Sequence, residues 1–313
     1  MEHDAENVGA LMNWMKGVSI GIPTYNRAHG VEHLLKNIRQ RTPSSIPYEI
    51  IVCDDSGKRE HQDRVRQICA DYDAKFIFNP QNAGVSTSWN RLTRFSIREM
   101  MVILNDDVLL ANDWLDYLFY AVMENPQAGS FSLNCRFITK EDVPLILTGP
   151  HAKAIPLNVH WRGDTLIRDE RFPSVPEDED NTPGRVMCPA GCAFAFRRDM
   201  YEEVGGFDQR FFAFYEETDF GVACSYRGHP AYTLSVPGDN YHLWSATFAS
   251  APEINAGKVM MESRAKFVEK WSKALGITFK DAPEIHEPIM SKIPPQKIRW
   301  LGKGKTPREE MIG

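Results

Sequence analysis

Residues 101–110 read MVILNDDVLL. An apolar run, Met101 to Leu104, stops at Asn105, Asp106 and Asp107, and Leu109 and Leu110 follow. A short apolar run bounded by polar residues suits a buried strand whose C-terminal end opens into solvent or a cleft. Side chains alternate along a strand, so Asn105 and Asp107 point one way and Asp106 the other. Adjacent carboxylates at such an end admit two readings. They form a polar turn with Asp107 near a helix start, or they supply hard oxygen ligands for Mn2+ or Mg2+ held together with a substrate diphosphate.

Upstream, the same strand-then-polar pattern recurs three times. Residues 18–22 (VSIGI) read as a first strand, broken by Pro23, Thr24, Tyr25, Asn26 and Arg27. Apolar residues at 31, 34, 35 and 38 then have helical spacing. Residues 49–53 (EIIVC) form a second strand ending in Asp54 and Asp55, and a helix follows over 62–71. Residues 74–78 form a third, ending in Asn82, Ala83 and Gly84, before a helix over 86–98 with Ser86 as its N-cap. Residues 101–104 are the fourth strand, with a helix over 114–123. Such alternation argues for βαβ units and a mostly parallel sheet. Right-handed crossovers bring every strand's C-terminal end to one edge, where α/β sheets bind ligands. Residues 24–26, 54–55, 82–84 and 106–107 therefore converge on one crevice. No glycine-rich phosphate loop follows the first strand, so a metal held by carboxylates is the substitute.

The 313 residues are 42% hydrophobic and 25% charged, ordinary for a globular protein and enough for one large core or two modest ones. A net charge of -6 without a basic block gives nucleic-acid binding no support. No stretch approaches the ~20 apolar residues of a membrane span, and the acidic first residues are not a secretory signal. Membrane contact is at most peripheral, through the basic segment 292–308. Cys53, Cys135, Cys188 and Cys192 sit in apolar surroundings, which suggests buried thiols in a reducing, cytoplasmic setting. Cys188 and Cys192 lack a matching second pair, which argues against zinc. Oligomeric state is not encoded visibly.

The later residues hold a second chemical stretch. Residues 130–137 and 186–196 read as strands, and 198–204 as a short helix ended by Gly205 and Gly206. Residues 211–220 (FFAFYEETDF) run from aromatics straight into Glu216, Glu217 and Asp219. Crowded acids beside aromatic surface are the setting that raises a carboxylate pKa and makes it useful as a base. They also suit a helix start, which the dipole favours over 218–226. A strand over 231–236 precedes His242, which taken by itself reads as a partly buried, hydrogen-bonded histidine. Residues 177–180 form an acidic loop; His151, His160 and Trp161 are candidates for acceptor contact. A long amphipathic helix over 253–275 and a Pro- and Lys-rich tail close the chain.

In order and context, these stretches resemble the family 2 glycosyltransferases of the α/β GT-A fold, over about residues 18–244. The residues that carry the resemblance are 22–27 (IPTYNR), 52–56 (VCDDS), 79–84 (NPQNAG) with Trp89 and Asn90, 104–107 (LNDD), 205–208 (GGFD) and 215–220 (YEETDF). It implies a GT-A domain over 17–250, with a nucleotide-donor half at 17–125, an acceptor half at 126–250, and a C-terminal helix and tail at 251–313. It further implies transfer of a sugar, with inversion, from a nucleotide-diphosphate sugar to a glycan or other hydroxyl acceptor. Pro23, Thr24, Tyr25, Asn26, Asn82, Gly84 and Asn90 then border the donor. Asp54 or Asp55 reads the base, and Asp106 meets the ribose or donor sugar. Asp107, with Asn105 two residues before it and His242, corresponds to the metal element. Asn105 replaces the first acid of the family's usual D-x-D. Glu217 takes the general base's place, one methylene longer than the usual aspartate, and Asp219 supports it. A sugar-phosphate nucleotidyltransferase on a similar sheet also stays open, although the basic glycine-rich first loop it normally wants is absent. A catalytically silent carbohydrate-binding protein stays open at this stage.

Overall fold

The computed structural model describes residues 17–42, 46–133, 135–138, 184–186, 188–234, 236, 238, 240–243 and 251–276. The acidic run at 177–180, the acceptor candidates His151, His160 and Trp161, and the tail after Gly276 lie outside them.

The chain opens as β1 (Val18–Thr24), α1 (Ala28–Arg41), β2 (Tyr48–Asp54), α2 (Arg59–Asp71), β3 (Lys75–Phe78), α3 (Val85–Phe95) and β4 (Met100–Leu104). The two-residue β5 (Val108–Leu109) and α4 (Trp114–Glu124) follow, then β6 (Ser130–Leu133), β7 (Cys135–Ile138), β8 (Gly184–Val186) and β9 (Ala193–Arg197). The remainder is α5 (Arg198–Val204), α6 (Glu216–Tyr226), β10 (Ala231–Leu234), β11 (Asn240–Leu243) and α7 (Ala256–Leu275). Eight strands form one sheet in the order β3-β2-β1-β4-β9-β6-β10-β8, and β5, β11 and β7 form a second. β2 and β4 flank β1 in parallel, and β3 extends β2 in parallel. β9 runs antiparallel to both β4 and β6, and β8 antiparallel to β10.

The period-2 alternation of each strand divides the core between the two faces of the sheet. Ile20, Ile22, Ile50, Val52, Val102 and Leu104 pack with residues of α1, α2 and α4 on one face. Ile51, Cys53, Met101 and Ile103 pack on the other with Trp89 of α3, Tyr201 of α5 and Phe220 of α6. A third cluster joins Phe211, Val222 and Ala223 to Phe267 and Trp271 of α7. Each such aromatic, fully buried, contributes about 2–3 kcal/mol relative to exposure. All six cysteines are buried free thiols.

Three sequence expectations are corrected. The strand expected over 130–137 divides between the two sheets, because β6 pairs with β10 and β7 with β11. The strand expected over 186–196 is broken by a turn in which Ala193 N–H donates to the Ala190 carbonyl, 3.2 Å, and only β9 follows it. Ser86 is not the cap of α3; the helix starts one residue earlier, from Gly84 at φ 87°, and Ser86 is buried.

β9 matters most for the site. It enters the sheet in the opposite sense to β4, so its N-terminal end lies at the edge where β1, β2, β3 and β4 end. Asn105 N–H donates to the Cys192 carbonyl at 2.9 Å, which joins the turn before β9 to the turn after β4.

Candidate active site

The carboxylates at this edge sit at or just past the strand ends: Asp54 closes β2, Asp55 follows it, and Asp106 and Asp107 lie in the turn after β4. Asp106 is buried and accepts hydrogen bonds from Thr24 Oγ1 at 2.5 Å and Arg27 Nε at 2.9 Å. Burial pushes its carboxyl up to about 6 against the Arg27 guanidinium. Thr24 and Asp106 thus hold the ends of β1 and β4 together, with Arg27 closing the pair. Pro23 sits beyond the paired stretch of β1 and β4, which ends at Gly21 opposite Ile103, so its missing N–H removes no bond on that side. Asn26 turns the chain at φ 56°, and Tyr25 donates its hydroxyl to Glu253 at 2.9 Å. Burial, then Glu253, raises the Tyr25 phenol above its ordinary range.

Asp54 is fully buried. It accepts from Ser56 N–H at 2.6 Å and pairs with His61 Nδ1 at 2.7 Å. His61 Nε2 accepts from Ala28 N–H at 3.1 Å, so the proton lies on Nδ1 and donates to Asp54. Asp55 accepts from Asn79 Nδ2 at 2.7 Å, Ala83 N–H at 2.8 Å and Gly84 N–H at 2.8 Å. Burial lifts its carboxyl to about 6, and those three donors oppose the rise. Both candidates for reading the base are therefore tied to the chain itself: Asp54 braces α1 and α2, and Asp55 shapes the 79–84 loop. Asn82 is half-buried in that loop, with its side-chain oxygen 3.3 Å from Gly84 N–H. Asn90 is buried behind it. Its amide donates to Phe207 O at 2.7 Å, and its oxygen accepts from Tyr201 Oη at 2.8 Å and Phe207 N–H at 3.0 Å. All of its named partners belong to the chain, where donor contact was expected.

Asp107 shares the turn with Asp106 but meets a different partner. Its Oδ1 lies 3.1 Å from His242 Nε2, and both side chains are largely buried. β11 brings the histidine there by pairing His242 opposite Val108, and Leu243 N–H donates to the Asp107 carbonyl at 2.9 Å. Burial works against charge on His242, but Cys192 and the Asp107 carboxylate outweigh it and hold the imidazolium up to about 9. Among the described residues no three His, Cys, Asp or Glu side chains cluster as a closed metal site. One carboxylate with one imidazole is an open donor set once a cation displaces the proton that His242 otherwise keeps. It fits a divalent cation that completes its shell with water and a substrate diphosphate.

The second acidic stretch stands on the other side of the β9 turn. Phe214 and Tyr215 adopt left-handed backbone at φ 64° and 70° and turn the chain into α6. Each such non-glycine residue costs on the order of 1–2 kcal/mol, which the surroundings must hold in place. Glu216 and Glu217 form the first residues of α6, and each has a buried Oε2 with no hydrogen-bond partner. Burial pushes Glu217 up to about 7, while the N-terminal amides of α6 oppose the rise. Burial, then the charge of Glu217, carries Glu216 well above the carboxylate range. Gly191 lies against this carboxyl; a Cβ there stands 3.2 Å from Glu217 Cδ. One turn, 190–192, therefore touches Glu217 on one side and Asn105, just ahead of the Asp107 turn, on the other. Gly84, bound by Asp55, packs on the same acidic stretch: Val85 N–H donates to Phe212 O at 2.7 Å. Asp219, the expected support of Glu217, makes no direct contact with it among the hydrogen bonds of its carboxylate and gives its oxygens to Lys270 at 2.7 Å and Trp271 at 2.9 Å on α7.

Two participants went unread in the sequence, His61 and Lys270, and two more, Arg27 and Asn79, were quoted within motifs without a role. Each is polar and partners a buried acid, a pairing that local sequence does not encode. Arg27 alone carried a signal, as an arginine directly after a buried strand.

The sequence profile described as "Glycosyl transferase family 2" matches residues 19–205, more than half of the chain. Two curated relatives come from Haloferax volcanii. The chain is 24% identical over 208 residues to a low-salt glycan biosynthesis hexosyltransferase, Agl10, covering 65% of this chain and 60% of the relative. It is 26% identical over 196 residues to a glucosyl-dolichyl phosphate glucuronosyltransferase, covering 61% and 56%. The chain thus spans about 60% of the length of these relatives. Among solved structures, the Pyrobaculum calidifontis mannosyltransferase PcManGT, in complex with GDP-Man and Mn2+, superposes with a TM-score of 0.52 at 18% identity, covering 92% of this chain and 78% of that one. Staphylococcus aureus TarS gives 0.55 at 12% identity, covering 88% and 42%. These likenesses show a shared mostly parallel α/β fold. With the profile spanning β1 to the end of α5, through all four strand ends of the crevice, the chain belongs to glycosyl transferase family 2.

Proposed function

We propose that this chain transfers a sugar from a nucleotide-diphosphate donor to a hydroxyl of a glycan acceptor, with inversion and with the help of a divalent metal. The observation that carries the reading is the single 190–192 turn that abuts both an acid suited to base chemistry and the Asp107 element. A base and a diphosphate site one turn apart are what a direct displacement at an anomeric carbon requires.

On this reading Glu217 accepts the proton of the acceptor hydroxyl as the oxygen forms its bond to the anomeric carbon. The bond from that carbon to the diphosphate breaks on the opposite face, and a single displacement inverts the centre. Its pKa near 7 suits a base working near neutral pH. Asp107, with His242 as a neutral imidazole, would hold Mn2+ or Mg2+, and the bound ion would supply positive charge against the departing diphosphate. Pro23, Tyr25, Asn26, Asn82 and Gly84 border the nucleoside, with Asp54, Asp55, Asn90 and Asp106 shaping that border from behind. The hexosyl and glucuronosyl transfers named for the relatives, and the GDP-Man and Mn2+ of the mannosyltransferase, support a sugar-nucleotide donor and a divalent ion. On this reading the protein is a cytoplasmic enzyme of polysaccharide assembly; no helix among the described residues is long and apolar enough to cross a membrane, which by itself does not fix the location.

Calorimetry with UDP, dTDP, GDP, ADP and CMP, with and without Mn2+, tests the donor site. One diphosphate is expected to bind, and to need both metal and Asp107, so that Asp107→Ala abolishes the heat. Glu217→Gln is expected to bind it unchanged while losing roughly 100-fold or more in turnover of the matching sugar nucleotide. Absence of binding by every nucleotide, with or without metal, sinks the transferase reading in favour of a silent carbohydrate-binding protein.

A further inference from the structure

We infer that Lys270 and Trp271 of α7 are positioning residues for Glu217, acting through Asp219 and the turn before α6; this rests on Glu217 being the acceptor base. Asp219 is 2% exposed and sits two residues beyond Glu217 in the first turn of α6. Its Oδ1 accepts from Trp271 Nε1 at 2.9 Å, and its Oδ2 from Lys270 Nζ at 2.7 Å. Its own N–H donates to the Tyr215 carbonyl at 2.8 Å, so the carboxylate ties α7 to the left-handed residue that launches the acids.

The same face of α7 holds the rest of that stretch. Ser263 Oγ donates to Ala213 O at 2.7 Å and Lys266 Nζ to Arg210 O at 2.9 Å. The Phe267 ring lies 5.2 Å from that of Tyr215, and Lys270 also reaches Asp208 at 3.1 Å. Positions 263, 266, 267, 270 and 271 follow the spacing of one helical stripe. A stripe meant only for packing is apolar throughout. Here three of the five residues aim polar atoms at two carbonyls and two carboxylates, and a fourth pairs its indole N–H with Asp219. That arrangement fixes the geometry of residues 208–219, including two left-handed residues with no intrinsic preference for it. The family profile ends at residue 205, before all of it.

Trp271→Phe keeps a buried ring and removes the N–H to Asp219, and Lys270→Met keeps the stem and removes the charge. They are compared with wild type, with Glu217→Gln, and with Met261→Ser, which alters an exposed site on the same helix. Protein carrying 13C at glutamate carboxyls is titrated by NMR, and melting temperature, Mn2+-dependent binding of the diphosphate that wild type binds, and diphosphate release from its sugar nucleotide are measured. Both clamp variants should bind the diphosphate within about twofold of wild type and hold KM for the donor. Their kcat should fall roughly 10- to 100-fold, the usual cost of a small misplacement. The carboxyl signal missing from Glu217→Gln should titrate at lower pH in both, because a loosened turn admits water. Met261→Ser should match wild type. Wild-type kcat and titration in both clamp variants, beside an inactive Glu217→Gln, overturn the inference and leave the base reading intact. So does a loss of kcat that comes with lost diphosphate binding or with an unmoved titration, which marks general damage. Wild-type turnover in Glu217→Gln removes the base reading and the inference together.

Discussion

Glu217 carries its carboxyl in surroundings that favour the proton, with one oxygen facing no donor. Its ordinary value is 4.5 and burial lifts it to about 7. The folded chain therefore keeps a proton that the unfolded chain loses, and the stability this gives is complete below about pH 4.5 and gone above about pH 7. Glutamine at 217 never charges. Scanning calorimetry should then find Glu217→Gln melting with wild type near pH 4.5 and above it near pH 8, by a difference on the order of 1–2 kcal/mol. Equal melting at both ends of that window means that the carboxyl is solvated and unfit as a base near neutrality. The aspartates teach a related point about legibility. Alternation along a strand was the expected reason for Asp106 and Asp107 to part, but the strand ends at Leu104, and it is the turn at 106–107 that sends Asp106 to Thr24 and Arg27 and Asp107 to His242. Nor did alternation reveal that Asp54 and Asp55 both bind their own chain, since His61, Asn79 and the 83–84 amides arrive from elsewhere in the sequence.

At the scale of elements, the alternating first half was legible because each strand and helix is specified by local periodicity, and right-handed crossovers leave few ways to assemble them. The second half was not. β9 lies between β4 and β6 although its sequence neighbours are a turn and α5, and no pattern within residues 193–197 names those partners. Antiparallel insertion of β9 is nevertheless what brings the 190–192 turn to the crevice. The loop from β3 to α3 shows how tightly the two halves meet. Gly84 adopts φ 87°, and a Cβ there falls 2.4 Å from the Phe212 carbonyl oxygen. That atom is backbone and cannot rotate away, so Gly84→Ala must move either the loop or the acidic stretch. The variant should lose about 2–4 kcal/mol by urea unfolding, above the usual effect of a surface change. It should lose turnover as well, even where enough folded protein remains to bind the diphosphate. Unchanged stability argues that the two segments do not touch in solution.

At the scale of the whole molecule, the edge proposed for the donor and the edge proposed for the acceptor are joined, among the described residues, by two backbone hydrogen bonds. Val85 N–H to Phe212 O links the loop shaped by Asp55 to the acidic stretch, and Asn105 N–H to Cys192 O links the Asp107 turn to the glycine beside Glu217. Tyr25 adds a third tie, from the end of β1 to Glu253 just ahead of α7. A ligand that steadies the donor edge therefore steadies the acceptor edge by the same bonds, since ordering already gained on one side is not lost again on the other. Hydrogen exchange read by mass spectrometry tests this directly. Adding Mn2+ with the diphosphate that binds should slow exchange of amides at 83–85 and 105–108, which border the ligand. It should also slow those at 192–193 and 212–219, which the ligand does not reach. In Asp107→Ala neither set should change. Slowing confined to the first set means that the two edges are mechanically independent. The donor would then leave the position of Glu217 untouched, and the acceptor base would be set by α7 alone.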